Sequence, residues 1–194
     1  MPVATPEASV AKVKGTGVRA MIRYAETKGG PETMKRVLAR LSEDDRKIVA
    51  GTILPSSRYP EEFDHRILLA VFHEMFGRDS EKGMDLGKAV LDEGMNIFSR
   101  LFLKFGDPSF LISKAGVLWN QYHEIGRLDV YDVGPKGARA KLLDYPWLDV
   151  PFCRVLSGSI FRALEVSGCK GISLQHEKCV GQGDPHCQYH VSWS

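Results

Sequence analysis

Residues 176–193, HEKCVGQGDPHCQYHVSW, decide how the C-terminal part of this chain folds. Ile172, Leu174 and His176 alternate with Ser173 and Gln175, and Cys187, Tyr189, Val191 and Trp193 alternate with Gln188, His190 and Ser192. A period of two gives each segment one largely apolar face, so both read as β-strands. Between them Gly181-Gln182-Gly183-Asp184-Pro185 supplies residues that tolerate positive φ or fix φ, the chemistry of a turn. The segment is a β-hairpin with Cys179 and Cys187 at its mouth. Two thiols there converge on one point if a third group completes the cluster, and Cys153 is the candidate, in a spacing C-x25-C-x7-C.

Working backward from the hairpin, Asp149-Val150-Pro151 caps a helix that carries Phe152, Val155, Leu156, Ile160, Ala163 and Leu164 on one side and stops at Gly168. Leu128, Val130 and Asp132, then Ala138, Ala140 and Leu142, form two strands joined through Gly134 to Gly137. The order is ββαββ. The preceding sequence is helical in period. A first helix covers Val18 to Lys28, and a second starts at Pro31 with Met34, Val37, Leu38 and Leu41 on one stripe. Ser42 caps a third, running to about Ala50. Gly51 to Tyr59 is a connection, and Pro60 opens a fourth that ends at Gly77. Ser80 caps a long helix to Phe105, and Asp107-Pro108 starts another with Trp119 and Tyr122 inward. The fold class is α+β, N-terminal helices packed on a C-terminal ββαββ antiparallel sheet.

With 43% hydrophobic and 26% charged residues, 194 residues suit one well-filled domain, expected over 13–194 behind a loose tail at 1–12. No apolar run is long enough to span a bilayer, and the tail lacks the basic start and apolar stretch of an export signal, so a cytoplasmic address is expected. A net charge of +2 and the lack of any nucleic-acid-binding signature argue against nucleic acid. Residues 10–47 carry ten Lys or Arg against five acids, and 61–96 nine acids against four bases, which reads as oppositely charged, solvated helical faces.

Four cysteines without an export signal point to thiols or metal ligands in place of disulfides. Cys153 lies in the first turn of its helix, where unpaired N–H groups favour a thiolate. Zinc on Cys153, Cys179 and Cys187 needs a fourth ligand, and His176, His186, Asp129 and Asp132 are all chemically admissible. Small buried thiols are the alternative, and Cys169 reads as one. No nucleophile elbow, phosphate loop, HExxH pair or CxxCH haem attachment is present, so the chain reads as a non-enzyme, with a Cys153–His thiol enzyme as the third reading. His73 sits one position off an apolar stripe and is the formal haem candidate, but it reads as a surface histidine and no haem is expected. Met95, Phe98, Phe102, Trp119 and Tyr122 could enclose a small apolar or aromatic ligand, or simply fill the core.

Glu177, Cys179, Gly181, Gly183, Asp184, Cys187, Tyr189, Val191 and Trp193 together resemble the C-terminal pattern of the 4-vinyl reductase domain. VKGTGVRAM (13–21), LPSSRYP (54–60), RLFLKFGDPSFL (100–111) and LWNQYHEIGRLDV (118–130) resemble an uncharacterised myxobacterial paralogous family related to it. The resemblance implies an architecture shared with haem-nitric-oxide-binding and TRAPP-type trafficking families. It also implies a structural zinc on Cys153, Cys179 and Cys187, a sensor role for a small ligand, and a homodimer through the N-terminal helices. The relatives' ligand-contacting residues do not match here, and no output domain accompanies the sensor pattern. A stand-alone sensor is therefore the expectation, with a TRAPP-like adaptor that binds a protein partner as the alternative.

Overall fold

Proline, glycine and capping side chains set the element order in the computed structural model, which describes residues 11–77, 79–95 and 107–194. Strand β1 (Lys12–Lys14) leads into α1 (Gly15–Tyr24), a π-helical turn (Ala25–Gly29), α2 (Gly30–Ala39) and α3 (Glu43–Ala50). Strand β2 (Arg58–Pro60) precedes α4 (Glu61–Phe76), a 3-10 turn (Ser80–Lys82) and α5 (Gly83–Gly94). After the interval come α6 (Pro108–Ser113), α7 (Ala115–Tyr122), β3 (Arg127–Gly134), β4 (Gly137–Leu143), α8 (Val150–Val166), β5 (Ser173–Lys178), a 3-10 turn (Val180–Gln182) and β6 (Cys187–Ser192).

Three capping side chains act as their residue types require. Ser42 Oγ accepts from Asp45 N at 3.1 Å, Asp107 Oδ1 from Phe110 N at 2.9 Å, and Asp149 Oδ1 from Phe152 N at 2.8 Å. The C-terminal sheet is antiparallel in the order β3-β4-β6-β5, the expected ββαββ unit with its helix packed on one face. Leu142 pairs with Cys187, Ala140 with Tyr189 and Ala138 with Val191, so the buried residues of β4 and β6 share a face.

Several elements differ from the sequence expectation. The connection at 51–59 ends in β2, which pairs antiparallel with β1, so Lys12 belongs to paired structure and not to a tail. Three-residue strands are too short to show a period. The first helix starts three residues early, at Gly15. The helix expected from Ser80 to Phe105 ends at Gly94, where Met95 turns extended (φ −87°, ψ 114°), and residues beyond Met95 lie outside the described set up to 107. Gly94 costs helix stability just where the chain leaves the helix.

The oppositely charged segments resolve into pairs inside the chain. Arg19 and Arg23 hold Glu93, Arg36 and Arg40 hold Glu74, and Arg66 grips buried Asp45 through two hydrogen bonds of 2.8 Å. The Met34, Val37, Leu38 and Leu41 stripe also turns inward: Val37 and Leu41 are buried, and Met34 and Leu38 pack against them. It therefore supplies core, not the dimer surface expected of it.

Helices α5 and α8 cross so closely that a Cβ on Gly87 would strike the Val155 carbonyl, and one on Gly158 would strike the Met84 carbonyl. One core joins the helices to the sheet through Ile67, Val71, Leu86, Leu142, Tyr145 and Phe152, and a smaller one holds Ala138, Leu164, Cys169, Val191 and Trp193. Among the described residues no helix is long and apolar enough to cross a membrane.

Candidate metal centre

The Asp149 cap fixes where α8 begins and therefore where Cys153 points, since Cys153 N also donates to Asp149 O at 3.0 Å. The hairpin mouth is folded back on itself by its own turn. Gln182 N and Asp184 N both donate to Cys179 O, at 2.9 and 3.1 Å, and Asp184 Oδ2 accepts from Cys179 N at 2.8 Å. Gly183 takes a left-handed φ of 99°, which glycine adopts without a steric cost. Gly181 lies against the start of α8, where a Cβ would come within 2.8 Å of Val150 N, so only glycine lets the turn dock there. Docking brings Cys179 and Cys187 to Cys153.

His176 completes the group. The ligand atoms of Cys153, His176, Cys179 and Cys187 all lie within 4.8 Å of one another, and the three thiols are buried. Four ligands around zinc with Zn–S of ~2.3 Å sit roughly 3.8 Å apart, a spacing bracketed by the 3.2 Å between Cys153 and Cys187 and the 4.8 Å limit. His176 is stacked on Tyr189 (centroids 4.5 Å apart, 6° between planes), and its Nε2 is buried without a hydrogen-bond partner among the described residues. A nitrogen lone pair in that position suits a metal.

The sulfurs are already polarised toward this chemistry. The Cys153 and Cys187 sulfurs share a hydrogen bond at 3.2 Å, which holds the Cys187 thiol below its ordinary value against the opposing effect of burial. His176 and the Val180 N–H at 3.4 Å pull the same way. Cys153 is pushed up by that same hydrogen bond and then by burial. A zinc site needs thiolates, and the hydrogen bonds onto Cys187 favour one there.

The other candidate ligands are placed elsewhere. His186 Nε2 faces Gln188 at 3.4 Å, Asp129 pairs with Arg127 at 3.1 Å, and Asp132 is exposed at a bulge with φ 51°. Cys169 packs in the smaller core beside Trp193. His176 carried a sequence signal of its own: it shares strand parity with Leu174 on the inward face and stands three residues before Cys179.

Of the ligand-pocket candidates, Trp119 is buried and its indole N–H donates to the carbonyls of Ile125 and Gly126 at 3.1 and 3.2 Å, leaving no donor for a ligand. Tyr122 is half-buried under the Lys14 ammonium, Met95 ends α5, and Phe98 and Phe102 lie outside the described residues.

No family model matches the chain, and no curated protein matches it either. Among solved structures it is similar to an H-NOX protein of Shewanella oneidensis in the Fe(II)NO ligation state, with TM-score 0.71 and 16% identity over 93% of this chain and 99% of that one. An unliganded Fe(II) H-NOX protein of K. algicida gives TM-score 0.69 at 11% identity over 93% and 96%. A domain solved in work on heme distortion in the H-NOX family gives 0.61 at 16% over 93% and 95%. These similarities establish the fold, and they overturn the expectation of no haem, because the neighbours are iron- and haem-named proteins. A haem needs an apolar slot and an axial ligand. Among the described residues, His65 is held by Asp149, His123 by Glu61, and His176 stands in the thiol group, while His73 is exposed. Two clefts among the described residues are open, one edged by Arg23, Asp85, Lys88 and Glu93 and the other by Arg127 and Asp129. Neither cleft is an enclosed apolar slot. The chain has the α+β fold of the H-NOX domains, with a buried three-cysteine, one-histidine cluster at the joint between α8 and the β5–β6 hairpin.

Proposed function

We propose that this chain is a non-enzymatic, small-molecule-binding sensor domain whose last helix and hairpin are tied together by a structural zinc ion on Cys153, His176, Cys179 and Cys187. The observation that carries the metal is the convergence of four ligand atoms from three separate elements within 4.8 Å, three of them on buried sulfurs. When bound, zinc supplies cohesion and no reaction: a closed Cys3His shell leaves no open position for substrate. The buried thiols likewise offer no route for a substrate to a Cys153–His176 pair, which disfavours the thiol-enzyme reading. The sensor half of the proposal is supported by the fold shared with H-NOX proteins, one of which was solved with NO on Fe(II), and by the 4-vinyl reductase-like hairpin.

Self-association belongs to the proposal on a different surface from the one first expected. Phe110, Val117, Leu118 and Val133, on α6, α7 and β3, are large apolar residues left exposed, and light scattering should give about twice 21.6 kDa. Native mass spectrometry of the untagged protein tests both halves of the functional reading. It should show one zinc per chain, and a copurifying or added small molecule should raise the melting temperature by linkage. A metal-free mass together with a response only to a protein partner would favour the adaptor reading.

A further inference from the structure

A second buried polar group lies away from the thiols, on the first turn of α4. Glu61 is fully buried, yet its oxygens are engaged: His123 Nδ1 lies 3.0 and 3.1 Å from Oε1 and Oε2, and Tyr145 Oη donates to Oε2 at 3.0 Å. One turn on, Asp64 is 6% exposed, and its Oδ1 meets no hydrogen-bond partner among the described residues. His65 is buried beside it, with Nε2 3.1 Å from Asp149 Oδ2 and Nδ1 likewise unpartnered. Trp119 seals the group by stacking on His123 at 4.1 Å.

Among the described residues, titratable groups reach the surroundings of Asp64 from four places. Helix α4 contributes Glu61 and His65, the end of α7 His123, the segment after β4 Tyr145, and the cap of α8 Asp149. From α1 the neighbour is uncharged Gly17, while Arg19 and Arg23 on that helix are turned to Glu93. Each imidazole is already engaged by another carboxyl group, His123 by buried Glu61 and His65 by the one-third exposed Asp149. An ionised Asp64 would lack a partner of its own, and an unpaired buried charge is far more costly than a neutral acid. Glu61 has donors from His123 and Tyr145, and Asp64 has none, so the neutral acid belongs at Asp64. Burial, with opposition from His123, support from Glu61 and opposition from His65, pushes the Asp64 carboxyl up to about 7. Its place in the first turn of α4 favours the anion and does not overcome burial.

We propose that Asp64 is a proton-operated latch between the helical layer and the sheet layer: as the neutral acid it lets α4 seat against Tyr145 and the cap of α8, and its ionisation on alkalinisation loosens that seat. The group is distinct from the metal ligands and shares none of them. Its folded-state value lies above its unfolded one, near 3.8. The stability it contributes is therefore complete below the unfolded value and lost as pH rises toward and through the folded one.

The test compares the full-length parent with Asp64→Asn, which keeps the shape and removes the titration. Urea unfolding at about pH 5 and about pH 8.5 should show the parent's folding constant falling roughly a hundredfold relative to the variant's over that range. Thiol and zinc effects are common to both proteins and cancel in the comparison. Carboxyl-carbon NMR of the parent should show one aspartate titrating near 7. Should Asp64→Asn fail to fold, that resonance alone decides. Parallel stability profiles, or all aspartates titrating in the ordinary carboxylate range, would overturn the latch.

Discussion

Substituting Gly158 by Ala should destabilise the protein, although alanine is the better helix former. In an open helix the exchange gains about 1 kcal/mol. Here the new Cβ would stand well under 3.0 Å from the Met84 carbonyl, a separation real Cβ atoms essentially never show, and the atoms it meets are backbone, which cannot rotate aside. Helix α5 has to move off α8, and overpacking of this kind costs about 1–3 kcal/mol. Helix propensity offsets about 1 kcal/mol of that, which leaves a loss of up to about 2 kcal/mol, or up to roughly 8 °C in melting temperature for a domain of this size. Calorimetry or urea melts measure it. Gly94→Ala is the control, because its Cβ would meet Thr16 and Tyr122 at an ordinary 3.5 Å; it should be neutral or slightly stabilising. A Gly158→Ala protein stabilised by the about 1 kcal/mol of an open helix would refute the close crossing of α5 and α8.

Two further outcomes follow from single contacts. Asp149→Ala removes the acceptor of Phe152 N and the partner of His65, so it should cost about 1–2 kcal/mol in a urea melt, the upper part of the range expected for a lost cap. Arg66→Met should raise the midpoint of acid unfolding: the Arg66 hydrogen bonds hold Asp45 below the usual carboxylate range, so their contribution is present above the unfolded value near 3.8 and lost as pH falls through the folded one. An unchanged acid midpoint would mean that the half-exposed Arg66 is screened too well to matter.

Elements with local punctuation were legible in the sequence. Ser42, Asp107 and Asp149 cap helices because their side chains reach N–H groups three residues on, and Gly134-Pro135-Lys136-Gly137 is a turn sequence that joins β3 to β4. The thiol cluster was legible for the same reason: Cys179 and Cys187 are held by a turn written between them, and Cys153 by the cap before it. What depends on distant packing was not. Glu61 and Asp64 have the pattern of a solvated acidic first turn, and nothing local reports that Tyr145 and His123, more than sixty residues away, close over them. The Val37 and Leu41 stripe was identified as apolar, but sequence does not say which surface covers it. Chemistry alone left His176, His186, Asp129 and Asp132 equally admissible as the fourth ligand, although the strand parity that His176 shares with Leu174 was a signal that could have separated it.

The zinc content of protein purified without a metal-affinity tag tests the central claim most directly. Elemental analysis should find about one zinc per chain, and strong chelation should lower the melting temperature, because the ion joins the first turn of α8 to the mouth of a hairpin that docks there through Gly181. Cys179→Ser and His176→Ala should each lose the metal and much of the stability, while Cys169→Ser, in the separate core beside Trp193, should keep a full equivalent. Zinc below about a tenth of an equivalent, with Cys179→Ser as stable as the parent, would contradict the account and leave Cys153, Cys179 and Cys187 as packed thiols.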